Sequence, residues 1–237
     1  MRVVSYREHA PPPALAPWLA CMWERRGQAA GPVRVLPDGC IDVVWSEGEG
    51  ARIVGANTTA FLVSVTPGAR VVGSRLRPGA GPPLLGVAAE GVCDARCALE
   101  EVWGRDGARL VAELDDRADP VAVLRGALLA RAARAERPDR LVAEAVWRLE
   151  QPMIAVSQVA GELGVSERGL RRRVSAAVGY GPKRLARVLR LLRALEAARA
   201  GGELARVALE AGYADQAHFA NDCRELAGVS PSIALAV

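Results

Sequence analysis

A chain of 237 residues, 51% hydrophobic and 24% charged, has the length for one large or two small domains and the apolar content for a real core. The net charge of +4 lies wholly in residues 151–237, which hold 12 basic and 8 acidic side chains, against 19 of each in residues 1–150. Such an asymmetry directs the second half, and not the first, towards nucleic acid. Met1–His9 has no apolar run of the secretory kind, and no stretch of 18 apolar residues could span a bilayer. The expected location is therefore cytoplasmic, with no membrane partner. Five cysteines in a reducing compartment argue against structural disulfides.

The chain opens with the proline-rich Ala10–Pro13. Leu15, Trp18, Leu19, Met22 and Trp23 then suit a short helix, or a helix running into a strand. From Val33 to Arg77 the signals turn to β. VRVLPDGCIDVVW places two apolar runs around a Pro37-Asp38-Gly39 turn, and Arg52–Val54, Thr59–Thr66 and Ala69–Leu76 follow at short spacing. That rhythm predicts a small barrel or sandwich, ended by the Gly- and Pro-rich Arg75–Pro83. Helical text follows at Leu99–Trp103, Gly107–Leu114 and Pro120–Arg134, the last with Asp119 as cap and Pro120 at its first position. Its stripe of Leu124, Leu128 and Leu129 suits internal packing better than a dimer seam. Glu136–Asp139 reads as the main boundary, and Arg140–Gln151 opens an all-helical half.

Two frames in that half repeat each other. From Ser166, Leu170 lies four residues on, Val174 eight, Gly179 thirteen and Pro182 sixteen. From Asp215 the same offsets give Phe219, Cys223, Gly228 and Pro231. Each frame holds an N-cap, an apolar stripe, a glycine stop and a proline that starts the next helix. Each also follows a short apolar helix ending in glycine, Val156–Gly164 and Leu204–Gly212, so each is a helix-turn-helix unit. Between Arg168 and Arg199 there are ten basic residues and one acidic, Glu196. Pro182 to about Ala200 reads as a spacer helix of about 28 Å, comparable with the ~34 Å between successive major-groove faces. Leu185, Val188, Leu189, Leu192 and Leu195 would hold it to both units, with Arg184, Arg187, Arg190 and Arg193 largely outward.

From about Arg140 onwards the chain resembles the tandem helix-turn-helix domain of the AraC/XylS family of bacterial transcription regulators. The second unit, GYADQAHFANDCRELAGVSP, carries that family's G-Y-x-D, an aromatic four residues after the Asp, and G-x-S-P. LPDGCIDVV, RLRPGAGPPLLGV and LEEVWG resemble, less specifically, the small β-rich sensor domain of some actinobacterial members. The fold this implies is α+β: residues 1–117 a β-rich ligand-sensing domain with trailing helices, 118–137 a helical connector, and 138–237 an all-α double helix-turn-helix domain.

The resemblance also implies double-stranded promoter or operator DNA as partner, a small-molecule effector of unknown identity, contact with RNA polymerase, and a homodimer. It places base-reading positions at Arg168, Arg171 and Arg172 in a first recognition helix spanning 167–177. Arginine pairs bidentately with guanine, so a G-rich half-site is expected. Arg173 and Arg184 suit phosphate, which positions without reading sequence, and Lys183 is a further DNA-binding candidate. In the second helix, 216–227, the corresponding positions are Ala217, Ala220 and Asn221, beside Gln216 and His218. Many members carry an arginine where Asn221 stands, and Asp222 would oppose phosphate, so this unit should hold DNA less firmly. For His218, DNA contact or plain packing fits better than metal ligation.

For the first half, Trp23, Trp45, Arg75, Arg77 and Glu90 are the candidate effector-binding residues, with Asp38 or Glu90 as carboxylate partners of the arginines. Cys93 and Cys97, at helical i,i+4 spacing, raise the alternative of a thiol- or metal-responsive regulator, with Cys21 or Cys40 as third ligand. A cupin-like enzyme is the remaining alternative. His9 alone in the first half leaves it short of the usual two or three ligating histidines. Neither catalytic residues nor a cofactor are assigned.

Overall fold

The computed structural model describes residues 5–26, 32–64 and 66–236. Its first half holds β1 (Ser5–His9), β2 (Leu19–Arg26), β3 (Val33–Val35), β4 (Ile41–Ser46), β5 (Gly50–Val54), β6 (Phe61–Val63) and β7 (Arg70–Leu76). After α1 (Gly81–Leu85) and a 3-10 turn at Ala89–Gly91 comes β8 (Arg96–Ala98). Six strands form one antiparallel sheet in the order β1-β2-β7-β4-β5-β8, and β3 pairs with β6 as a separate ribbon. The β-rich domain is as expected, but its sheet is open at β1 and β8 rather than closed into a barrel. The β text also does not end at Pro83, because β8 returns to pair with β5. The strand expected at Thr59–Thr66 is limited to Phe61–Val63, and Val65 lies outside the described residues.

Period-two alternation gives the large sheet two distinct faces. Ile41, Val43, Trp45, Ala51, Ile53, Val72 and Leu76 point one way and are buried. This face packs on α2 (Leu99–Trp103), α3 (Arg105–Asp116) and α4 (Pro120–Ala132). The Trp45 indole donates to Asp115 Oδ1 at 2.8 Å, tying β4 to α3. Trp23, Asp42, Val44, Val54, Val71 and Arg75 point the other way, towards the β3–β6 ribbon. Gly73 permits this arrangement: a Cβ there would stand 2.3 Å from the Trp23 ring.

Residues 118–137 are more than a connector. Leu124 and Leu128 of α4 are fully buried, and Arg131 donates to the Leu84 carbonyl at 2.9 Å while stacking over Trp103 at 4.1 Å. The stripe serves internal packing, and α4 belongs to the first half's core.

The second half follows its two frames closely. After α5 (Arg140–Leu149) come α6 (Val156–Glu162), α7 (Glu167–Val178), α8 (Pro182–Arg199), α9 (Leu204–Glu210), α10 (Gln216–Asp222), a π turn at Cys223–Ala227, and α11 (Pro231–Leu235). Ser166 Oγ accepts from the Gly169 amide at 3.1 Å, and Asp215 Oδ1 from the His218 amide at 2.7 Å. The corresponding glycines of the two frames, Gly164 and Gly212, then Gly179 and Gly228, all take positive φ. Leu170, Val174, Phe219 and Cys223 are fully buried.

One apolar core runs from the sheet through Leu124 and Val142 into Leu170, Val178 and Leu185 of the first unit. A second core, with Val188, Leu195, Phe219 and Leu226, belongs to the second unit. No helix among the described residues is long and apolar enough to cross a membrane.

Candidate nucleic-acid interface

The Ser166 cap and the Leu170–Val174–Val178 stripe fix which side of α7 faces inward, and this leaves Arg168, Arg171 and Arg172 exposed on the other. Their i, i+3, i+4 spacing groups them on one helix face. No hydrogen bond or ion pair to any of the three occurs among the described residues. Arg168 and Arg171 share a hollow with Lys183, at the start of α8. A neighbouring groove follows α8 from Glu167 and Lys183 past Arg187 and Arg190 to Gly212, the turn of the second unit. Arg173 pairs with Asp139 at 2.9 Å while half of its side chain stays accessible.

On α10, Gln216, Ala217 and Asn221 are exposed, and Asn221 Oδ1 accepts from Arg224. Arg224 is an exposed cation that the offset argument passes over, because it lies beyond the α-helix in the π turn. The His218 ring stands edge-on to Tyr213 at 5.1 Å with Nδ1 3.4 Å from the Ala214 amide nitrogen, which is the packing role.

The arginines of α8 depart from expectation. Arg187 donates to Asp222 at 2.7 Å and to Glu225 at 2.6 Å, and Arg190 to Asp222 Oδ2 at 2.9 Å. Arg193 binds the Ala211 carbonyl at 3.0 Å and the Glu150 carbonyl. These side chains face the second unit rather than outward and fasten it to the spacer. Arg184 is likewise unavailable to phosphate here: it donates to the Thr58 carbonyl at 2.9 Å and to Glu225 at 3.2 Å. Asp222 is buried between Arg187 and Arg190, so it does not oppose phosphate as expected. Burial raises its pKa, but the hydrogen bonds from the two guanidiniums outweigh that and hold it below the usual carboxylate value. A sequence has no means of separating an arginine that faces DNA from one that meets a carboxylate 35 residues away.

Residues 159–235 match the helix-turn-helix domain family, and residues 7–98, from β1 to the end of β8, match a domain of unknown function (DUF6597). The C-terminal third of this chain is a helix-turn-helix domain. With it, the chain is a DNA-binding transcription regulator. Among solved structures, the regulator is similar to an AraC-type regulator from Chromobacterium violaceum. That match has 25% identity over 40% of this chain and 89% of the other, with a TM-score of 0.38. A probable AraC family regulator from Rhodopseudomonas palustris matches at 27% identity over 41% and 96%, with a TM-score of 0.36. ToxT from Vibrio cholerae, in a structure bound to (E)-4-(8-methylnaphthalen-1-yl)but-3-enoic acid, matches at 12% identity. It covers 99% of this chain and 98% of its own, with a TM-score of 0.45. No curated protein matches significantly.

The regulator also holds a cavity of about 460 Å³ between the large sheet and the β3–β6 ribbon. Val33, Val35, Val44, Val54, Phe61 and Val63 make its walls apolar. Polar side chains also line it, Arg52, Glu49 and Asn57 among them, with Arg75 between two carboxylates: its Nε lies 3.6 Å from both Asp38 and Asp42, too far for a hydrogen bond to either. Burial pushes Asp42 up to about 6 even though Arg75 stands beside it and the Trp23 indole donates to it at 3.1 Å.

Of the expected effector residues, Trp23 and Arg75 line this cavity, and Asp38 is the expected partner of Arg75. Trp45 does not, because strand alternation turns it to the helical face. Arg77 donates to the Ala16 carbonyl at 3.1 Å, and Glu90 is exposed in the 3-10 turn. Neither lines the cavity. Cys93 and Cys97 are not a helical pair: Cys93 sits in a turn and Cys97 in β8. Among the described residues no group of three His, Cys, Asp or Glu could hold a metal.

Proposed function

We propose that this regulator is a one-component, effector-responsive protein that sets α7 and α10 into adjacent major grooves of promoter or operator DNA. Supporting this reading most directly is the exposed, unpaired Arg168–Arg171–Arg172 face, repeated in scaffold but not in charge on α10. The 18 residues of α8 give about 27 Å between units, which suits one chain reaching two successive grooves. Arg168, Arg171 and Arg172 read bases; Lys183 and Arg173 approach phosphate, the latter after leaving Asp139; Gln216 and Asn221 read weakly on α10.

Residues 7–98 would carry the sensor, with the cavity under the ribbon as the effector site and Trp23, Asp42 and Arg75 as its polar contacts. The cavity falls within the usual size range of small-molecule sites. In this reading the protein is cytoplasmic and not an enzyme, and a homodimer in contact with RNA polymerase is its working form. Selection of bound sequences from random DNA with the purified chain tests the proposal. A two-part site, G-rich and strict in one half and loose in the other, is expected. Equal information in both halves, or no enrichment, would reject it.

A further inference from the structure

We propose that the β3–β6 ribbon links the cavity chiefly to the second helix-turn-helix unit, so that a molecule in the cavity alters the grip on the second half-site more than on the first. This rests on the cavity being the effector site. The ribbon has only three residue pairs, Val33 with Val63, Arg34 with Leu62, and Val35 with Phe61. Alternation sends Val33, Val35, Phe61 and Val63 into the cavity and Arg34 to the opposite side. There Arg34 donates to the Ala227 carbonyl at 3.0 Å. The Ala60 amide, one residue before β6, donates to the Leu226 carbonyl at 2.7 Å. Thr58 accepts from Arg184 at the start of α8, which also donates to Glu225 of the second unit. Leu36 both lines the cavity and packs against the second unit's core. One thin element is therefore the cavity's lid and the second unit's mooring.

The first unit is joined to the sensor half in another way. Its Val142, Val178 and Leu185 are fused into the core on the far face of the large sheet, and it comes near the cavity only where Leu185 packs against Gly39, between the cavity-lining Asp38 and Cys40. Displacing the ribbon disturbs Leu36 and the bonds to Leu226 and Ala227 directly, whereas the first unit's large core on the other face of the sheet holds it in place. An isolated two-stranded ribbon is at best marginally stable, so moving it is cheap. The matching ligand is uncharged and largely apolar with one hydrogen-bonding group. An anion would meet Asp38, Asp42 and Glu49, a cation would meet Arg52 and Arg75, and the ribbon and sheet walls between these groups are valine and phenylalanine.

The test uses the full chain and hydrogen–deuterium exchange, with DNA footprinting beside it. Val44→Phe fills the cavity from the sheet and stands in for a ligand; Arg34→Ala cuts the mooring and leaves the cavity walls intact. Each should speed exchange across 223–228 by roughly tenfold, the worth of a hydrogen bond to a charged group. The amides of 167–178 should change several-fold less, and footprint protection should fade first on the second half-site. Nile red, an uncharged dye, should bind the unsubstituted chain with the same effect and bind Val44→Phe poorly. Folded Arg34→Ala or Val44→Phe protein with unchanged exchange at 223–228, or with equal change in both units, would overturn the link. If Val44→Phe does not fold, Arg34→Ala and the dye decide alone. A wild-type chain that gives no footprint counts against DNA reading, whereas exchange reports on the link without DNA.

Discussion

Arg190 and Asp222 meet at the joint between the spacer helix and the second recognition helix, Nη2 to Oδ2 at 2.9 Å, with Asp222 only 3% exposed. Arg187 completes the arrangement from one turn earlier. Removing the carboxylate leaves Arg190 without its ion-pair partner and Arg187 with Glu225 alone, and losing one side of a buried pair is costly. Asp222→Ala is expected to lower stability by roughly 3 kcal/mol, read by denaturant unfolding, with the second unit losing exchange protection before the first. A loss under about 0.5 kcal/mol, the usual size of a surface change, would mean that the joint does not depend on this pair.

The two readers should differ in DNA affinity. Arg172→Ala is expected to cost roughly 1–3 kcal/mol and relax one base position, and Asn221→Ala to cost less. Titrations at fixed salt on the selected sequence give the ranking; a larger loss for Asn221→Ala would reverse it.

Acid and base act oppositely on two buried carboxylates. Asp42 is raised to about 6, so its contribution is whole below the unfolded carboxylate value and is lost as pH rises through about 6. Between pH 4 and 7 this costs at most roughly 3 kcal/mol. Asp42→Asn should flatten that slope in a series of unfolding curves. Asp222 is lowered, so its contribution is present above the unfolded value and disappears only in stronger acid. An unchanged slope in Asp42→Asn would assign the dependence to another group.

Gly179 ends α7 at φ +102, and a Cβ there would lie 3.1 Å from both the Ala89 carbonyl oxygen and the Cys93 Cβ. Gly179→Ala is therefore expected to destabilise the chain by about 1–2 kcal/mol, seen as a lower melting temperature. A neutral result would show that the 89–93 turn yields freely.

Burial pushes the thiols of Cys21 to about 11 and Cys223 to about 12, and raises those of Cys40 and Cys93. Protonated thiols are poor nucleophiles and poor metal ligands. Thiol titration at pH 7 should be slow in the native chain and reach five on unfolding; bound metal or fast paired oxidation of Cys93 and Cys97 would revive the redox alternative.

The helix-turn-helix half was legible because its instructions are local. Ser166 and Asp215 cap by reaching three residues ahead, and four glycines at matched offsets take the turns that only glycine takes cheaply. The arginines of α8 misled for the opposite reason: their partners Asp222 and Glu225 are brought near only by tertiary folding. Strand alternation in β4 was visible, yet which face met helices was not, and Trp45 was assigned to the cavity while facing Asp115. β8 escaped notice because three residues in a helical stretch gain strand form only from pairing with β5.

Val142, Val178 and Leu185 are buried in the same core as the sheet's helical face, and this limits how such a protein can be recombined. Exchanging the first half for another at residue 138 would strand a patch of aliphatic surface on the first helix-turn-helix unit, with nothing shaped to meet it. The second unit carries its own core and has a simpler seam. The β-rich half and the first helix-turn-helix unit must therefore change together, residue against residue, whereas the second unit is free to change on its own.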